Sequence, residues 1–161
     1  MTTLNTDHTT AVVARAAEAE VLGDDPVATQ LLVDHDATGG RLSTNRTCLA
    51  PGASGPPPHY HATSSEMFFV LDGVLEVLAG DRVVTLTRGD MVVVPPFMPH
   101  AWRATADAPA DVLIVFSPGL ERFAYLRLTD QVLRGEASVD EILATSDRFD
   151  NHWVDSPAWS A

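Results

Sequence analysis

The chain has 161 residues, 22 acidic and 10 basic side chains and a net charge of −12, with 45% hydrophobic and 20% charged residues. That balance describes one soluble globular unit large enough to bury its own core, and the negative charge excludes a nucleic-acid partner. Every basic residue is arginine, so Schiff-base chemistry and a P-loop, which both need a lysine amine, are excluded.

Residues 1–10 are polar and are expected to form a flexible N-terminus. They show no basic start followed by an apolar run, so no secretory signal is expected. No apolar run approaches the roughly 18 residues of a spanning helix; no membrane partner is expected, and the cytoplasm is the expected location. Residues 11–22, "AVVARAAEAEVL", favour helix by composition but lack a clear helical spacing of apolar positions. From Thr29 the texture changes to short apolar or alternating runs. "TQLLVDH" and "RLSTNRTCL" flank "DATGG", the pattern of a hairpin. Then follow "EMFFVL", "VLEVLA", "RVVTLT", "MVVVP", "HAWRAT" and "DVLIVFS", punctuated by Asp72-Gly73, Gly80-Asp81 and Gly89-Asp90. Such pairs between β-branched runs predict hairpin turns. Closely spaced strands without crossover helices predict an antiparallel sandwich or barrel. The lone cysteine, Cys48, cannot form an internal disulfide and reads as a buried strand thiol.

After Phe116 the pattern turns helical. "SPGLERFAYLRL" puts Leu120, Phe123 and Ala124 on one face, and "SVDEILATSDRF" opens with Ser138 and Glu141 in capping-box spacing. These two helices are expected to cover an end or flank of the barrel, in a packing role.

The chemistry concentrates in "PPPHYHATSSEMFF". Residues i and i+2 of an extended segment share a face, so His59 and His61 can converge while Tyr60 points away. Alone, such a pair equally describes two solvated or hydrogen-bonded histidines. Glu66 follows after a polar turn, where a returning strand can bring its carboxylate beside the rings. Thirty-nine residues after His61, "VVVPPFMPHAW" delivers His100. Two or three imidazoles with one carboxylate suit a divalent transition metal and do not choose among Fe, Mn, Ni, Co, Cu and Zn.

Together these residues resemble the cupins. His59, His61, Glu66 and Gly73 follow the first cupin motif, with Gly52 or Gly55 standing for its displaced leading glycine. Gly89, Pro95 and His100 follow the second, with Phe97 in place of its second glycine and Ala104 in place of its closing asparagine. The tail segment "PGLERF" is similar to that of small cupins grouped with bacterial quercetin dioxygenases. The resemblance implies an all-β, antiparallel jelly-roll barrel over residues 11–117, with residues 11–22 as strand or loop. Residues 118–161 would be a C-terminal helical extension packing on the barrel. It implies one metal at His59, His61, Glu66 and His100, with Glu66 also the catalytic proton acceptor, and a homodimer.

Strand parity places Phe68 and Val70 on the face of Glu66 and Trp102 on that of His100, with Met98 on the adjoining turn. These four are the expected substrate pocket, apolar and suited to a flat organic molecule. Arg41, Arg46 and Arg103 are the arginines considered for an anion clamp, Arg103 alternating to the opposite face. His8, His35 and His152 read as solvated surface, and Trp153 and Trp159 as packed on the barrel wall or a second subunit. The expected activity is that of a metal-dependent dioxygenase using O2 on an aromatic or enolisable, flavonol-like small molecule. The alternatives are a non-oxidative isomerase, cyclase or lyase, and a non-catalytic binder. No GxGxxG follows a strand, so no nicotinamide or flavin cofactor is expected.

Overall fold

The computed structural model describes residues 10–160. Of the expected flexible segment, residues 1–9, including His8, lie outside the described residues. The chain opens with a loop and then two strands, β1 (Glu20–Gly23) and β2 (Val27–Val33). A one-turn 3-10 segment at His35–Thr38 leads into β3 (Ser43–Leu49), which pairs with β2 as the expected hairpin. Next come β4 (His59–Tyr60) and the long β5 (Ser65–Ala79). The barrel continues with β6 (Arg82–Thr87), β7 (Met91–Val94), β8 (His100–Ala104) and β9 (Ala110–Ser117). Three helices follow, α1 (Arg122–Leu133), α2 (Val139–Leu143) and α3 (Ser146–Phe149), and then β10 (His152–Trp153). The helix-favouring composition of residues 11–22 is overridden: loop and turns lead into β1.

Two sheet layers share β5. Its first half lies between β9 and β7, and its second half between β6 and β8. From β9 the sheet runs on to β3, β2 and β1; from β8 it runs to β4 and β10. Every pairing is antiparallel, the expected jelly-roll arrangement. Alternating residues fill the space between the layers, among them Phe68, Val70, Leu75, Val77, Val112 and Ile114.

Asp72-Gly73 is not the expected hairpin turn. β5 runs through it with a register shift between Val70 and Asp72, and this bulge lets one strand serve both layers. Gly73 has φ +79°, and a Cβ there would stand 1.9 Å from the Pro109 carbonyl oxygen; only glycine fits. Gly89-Asp90 likewise forms a corner, not a hairpin. It is bonded to the same bend, with Val70 N donating to Asp90 O at 3.0 Å and Gly89 N to Val70 O at 2.9 Å. Gly80-Asp81 does close the tight β5–β6 turn.

The expected second helix, 138–149, is two. The capping box at Ser138 and Glu141 is formed, but the Thr145 hydroxyl donates to the Ile142 carbonyl at 2.6 Å, a local bond that competes with helix continuation. α1 has no side-chain cap of its own. Asp34 supplies one from a distance, accepting from Arg122 N at 2.9 Å and Phe123 N at 3.3 Å. The buried residues of α1 are Arg122 and Tyr125, while Phe123 is partly buried and Ala124 packs at the edge of the Tyr125 cluster; a charged residue is invisible to an apolar periodicity. Cys48 is exposed rather than buried; strand parity turns Thr47 and Leu49 inward instead.

Candidate metal centre and its cavity

The proline run before β4 cannot be helical and leaves carbonyls without ladder partners. His59 Nδ1 donates to Pro57 O at 2.8 Å, and Pro58 O accepts from Val154 N at 3.0 Å. β4 pairs with β8 through His59↔His100, which brings the most distant histidine beside the first. His61 lies one residue beyond β4 on the same face, and Glu66 enters at the start of β5. All four are buried, and their ligand atoms lie within 4.8 Å of one another.

The nitrogens are sorted. His61 Nδ1 donates to Asp150 O at 2.6 Å and His100 Nδ1 to Met98 O at 3.0 Å, as His59 Nδ1 does to Pro57 O. A carbonyl can only accept, so each Nδ1 carries a hydrogen and each Nε2 is left free to face inward. Glu66 Oε2 stands 2.9 Å from His61 Nε2 and 2.6 Å from His100 Nε2. Imidazole lone pairs gathered around a carboxylate oxygen in a buried pocket need a positive charge between them. A divalent metal supplies it, and the donor set fits one. Without a metal, protons fill the gap. Burial pushes the Glu66 carboxyl up, but the His100 and His61 rings outweigh it and hold it well below the usual carboxylate range. Burial pulls the His100 ring down, and Glu66 more than reverses this. The His59 ring is held well below its usual range by burial, reinforced by His100 and His61.

A residue that the sequence reading did not single out completes the frame. Asp150, at the end of α3, has φ +50°, a conformation that Asp tolerates better than most residues. Its carbonyl orients His61. Its carboxylate accepts from Ala62 N at 2.7 Å, Thr63 N at 2.9 Å, Thr63 Oγ1 at 2.6 Å and His152 Nε2 at 3.0 Å. His152 is therefore not solvated surface: its ring also stacks on Tyr60 at 5.0 Å. Trp153 packs 5.5 Å from the His59 ring, and Trp159 lies under the Arg103 guanidinium at 4.2 Å. Both rest on the barrel wall.

His59, His61 and Glu66 open onto a cavity of about 310 Å³, within the roughly 300–1,000 Å³ range of small-molecule sites. Trp102, Ile114, Phe116, Tyr125 and Trp153 form its apolar walls, and Asn45, Thr47 and Thr29 its polar floor. Of the four expected pocket residues only Trp102 lines it. Phe68 and Val70 face inward as parity required, but both are fully buried in the core, and Met98 packs against that core. Phe68 backs the site, 6.2 Å from the His100 ring and 6.0 Å from Trp102. Gly55 abuts Trp102: a Cβ there would fall 2.6 Å from the indole. α1 does more than pack, since Arg122, Tyr125, Leu126 and Thr129 line the cavity. Arg46 and Arg103 are spent on Asp111 and Glu76, and Arg41, like them, lies outside the lining. Sequence reasoning missed Arg122. The apolar spacing of "ERFAYL" gave no signal for it, because it marks Phe123 and Ala124 rather than the charged neighbour that is buried.

The fold is that of a cupin, mostly antiparallel β-sheet with short C-terminal helices. The cupin domain family model matches residues 45–116, which contain all four candidate ligands. Germin-like protein subfamily 2 member 1 of Arabidopsis thaliana is 32% identical over 84 residues, covering 49% of this chain and 38% of that protein. A 1-hydroxy-2-naphthoate 1,2-dioxygenase of Nocardioides sp. (strain KP7) is 30% identical over 97 residues, covering 55% of this chain and 24% of that protein. The chain thus spans less than half the length of these curated relatives. The solved structure of KdgF from Halomonas sp. superposes with a TM-score of 0.59 at 22% identity, over 68% of this chain and 94% of that one; that likeness is one of fold.

Proposed function

We propose that the protein is a metal-dependent cupin enzyme, a dioxygenase acting on an aromatic or enolisable small molecule. The observation that carries this reading is the set of three imidazoles around Glu66, each fixed by its Nδ1 hydrogen bond, with His59, His61 and Glu66 opening onto an aromatic-walled cavity. The activity in the name of the Nocardioides relative, on a hydroxylated aromatic acid, supports the same class of chemistry. A bound divalent metal would supply Lewis acidity toward a substrate oxygen and, if redox-active, a place for O2 to react.

The residues divide the remaining work. His59, His61 and His100 hold the metal. Glu66 would both ligate and accept a proton from a substrate hydroxyl, because its Oε2 lies beside the His61 and His100 nitrogens and the residue lines the cavity. Trp102, Phe116 and Tyr125 give a flat ring a surface to lie on and exclude water from it. The test is O2 consumption by metal-loaded protein over a panel of flavonols and hydroxylated aromatic acids. O2 uptake in step with substrate loss is expected. Turnover at an equal rate without O2 would overturn the dioxygenase reading in favour of an isomerase, cyclase or lyase.

A further inference from the structure

Three nitrogen donors around the cavity have no acceptor in the protein. Arg122 Nε, Asn151 Nδ2 and Trp153 Nε1 are buried and lack a hydrogen-bond partner among the described residues, and all three residues line the cavity. The other buried side-chain atoms without partners, on Gln30, His35 and Thr105, belong to residues outside that lining. A buried donor left unmatched is costly, and native proteins rarely keep one without reason. Three such donors on residues that line one cavity, none of them an acceptor, point to a ligand that brings the acceptors.

Arg122 makes the point sharper. It is 2% exposed, and among the described residues no carboxylate lies within ion-pair distance of it, whereas Arg46, Arg103, Arg127, Arg134 and Arg148 all have such partners. Its guanidinium is held instead by rings, 5.0 Å from the Phe116 centroid and 4.5 Å from Tyr125, with Nη2 donating to the Phe149 carbonyl. Glu66, Asp150 and Asp34 act on it only through space, while burial opposes its charge. A buried guanidinium without a counter-ion is unfavourable unless an anion arrives, and a planar carboxylate matches its geometry.

The donors also sit at a definite distance from the chemistry. Arg122 is one ring from a candidate ligand, since Phe116 touches both it and His61, the two rings being 5.3 Å apart. Trp153 is in direct ring contact with His59. We propose that the cavity selects a carboxylated aromatic substrate. Its acid group is bound by Arg122 Nε, Asn151 Nδ2 and Trp153 Nε1, and its ring lies against Trp102, Phe116 and Tyr125 toward Glu66. This deepens the dioxygenase reading by naming the substrate class, and rests on that reading only in calling the ligand a substrate.

The test is binding to metal-free protein, followed by tryptophan fluorescence, with 1-hydroxy-2-naphthoate and with 1-naphthol, which keeps the rings and hydroxyl but lacks the acid. The acid should bind wild-type protein at least tenfold more tightly than the naphthol. Arg122→Gln should remove most of that preference, and Trp153→Phe and Asn151→Ala should each reduce it severalfold, read as the ratio of acid to naphthol affinity because Trp153 also forms part of the apolar wall. Should Arg122→Gln fail to fold by circular dichroism, the other two variants decide, because neither removes the guanidinium or its hydrogen bond to Phe149. Failure of the acid to bind at millimolar concentration, affinities for acid and naphthol within twofold of each other, or a preference intact in the folded variants overturns the proposal. The assay needs neither metal nor O2. Acid preference without O2 uptake therefore sinks the dioxygenase reading and leaves the acid site standing, and O2 uptake without acid preference does the reverse.

Discussion

Glu66 separates ligation from proton transfer, and a single atom exchange can tell the two apart. Glu66→Gln keeps an oxygen that can coordinate but loses the basic site. Metal content should fall modestly while turnover falls by about 100-fold or more; equal losses by metal analysis and rate would reduce Glu66 to a ligand. Phe97 is the other residue whose behaviour follows from one angle. It stands where the cupin motif has glycine and adopts φ +66°, with its N–H donating to the His61 carbonyl at 2.8 Å. A left-handed non-glycine residue costs about 1–2 kcal/mol, and the ring, 66% exposed, repays little beyond a 5.9 Å approach to Tyr60. Phe97→Gly should therefore raise Tm by about 2–8 °C, and Phe97→Val, whose branched Cβ suits that region worst, should lower it. A drop in Tm for the glycine variant would show that the ring's contacts outweigh the strain.

At the scale of elements, the turn from α3 into β10 acts as a clasp on β4, the strand that carries His59. β10 pairs with β4 through His152↔Tyr60 and Trp153↔His59, and Asp150 ties the 62–63 turn from one side while orienting His61 from the other. Asp150→Ala removes the acceptor of four hydrogen bonds and leaves a residue poorly suited to φ +50°. It should cost about 2–3 kcal/mol of stability and weaken metal binding about tenfold through the loosened His61. Asp150→Asn, which tolerates that backbone conformation, should lose less of both. The same group gives the clasp an acid limit. Burial pushes the Asp150 carboxyl up, but the Thr63 hydroxyl and the Ala62 and Thr63 N–H groups outweigh it and lower it. A lowered folded value stabilises above the unfolded value, near pH 4, and that contribution is lost as pH falls below it. A melting series from pH 7 to 3 should show the wild type losing its advantage over Asp150→Ala below about pH 4; a gap constant to pH 3 would mean that the carboxylate is not the stabilising group.

Across the whole molecule, legibility followed chemistry that repeats locally. The strands were readable because alternation and β-branching are period-two signals, and the four ligands because their spacing survives even where glycines have been replaced. The unreadable features were those set by tertiary contact: the bend at Gly73, which depends on the Pro109 carbonyl; the Asp150 clasp, 89 residues from His61; and Arg122, buried against expectation for a charge. The candidate ligands come from β4, the residue after it, β5 and β8, and the unfolded chain has no such arrangement, so the free energy of binding a metal there would become folding free energy. At free metal about 100 times Kd the native state gains about 2.7 kcal/mol, which for a chain of this size corresponds to a rise in Tm of about 5–10 °C. Adding metal to metal-free protein should produce that rise, chelator should reverse it, and His100→Ala should show neither. Because the His100 proton is held by Glu66 and must leave before metal can bind, the effect should already shrink as pH falls toward the ordinary imidazole value of about 6.5. An equal rise in His100→Ala would place the stabilising metal elsewhere on this acidic chain, and a rise unchanged at pH 5 would mean that the imidazoles are not its ligands.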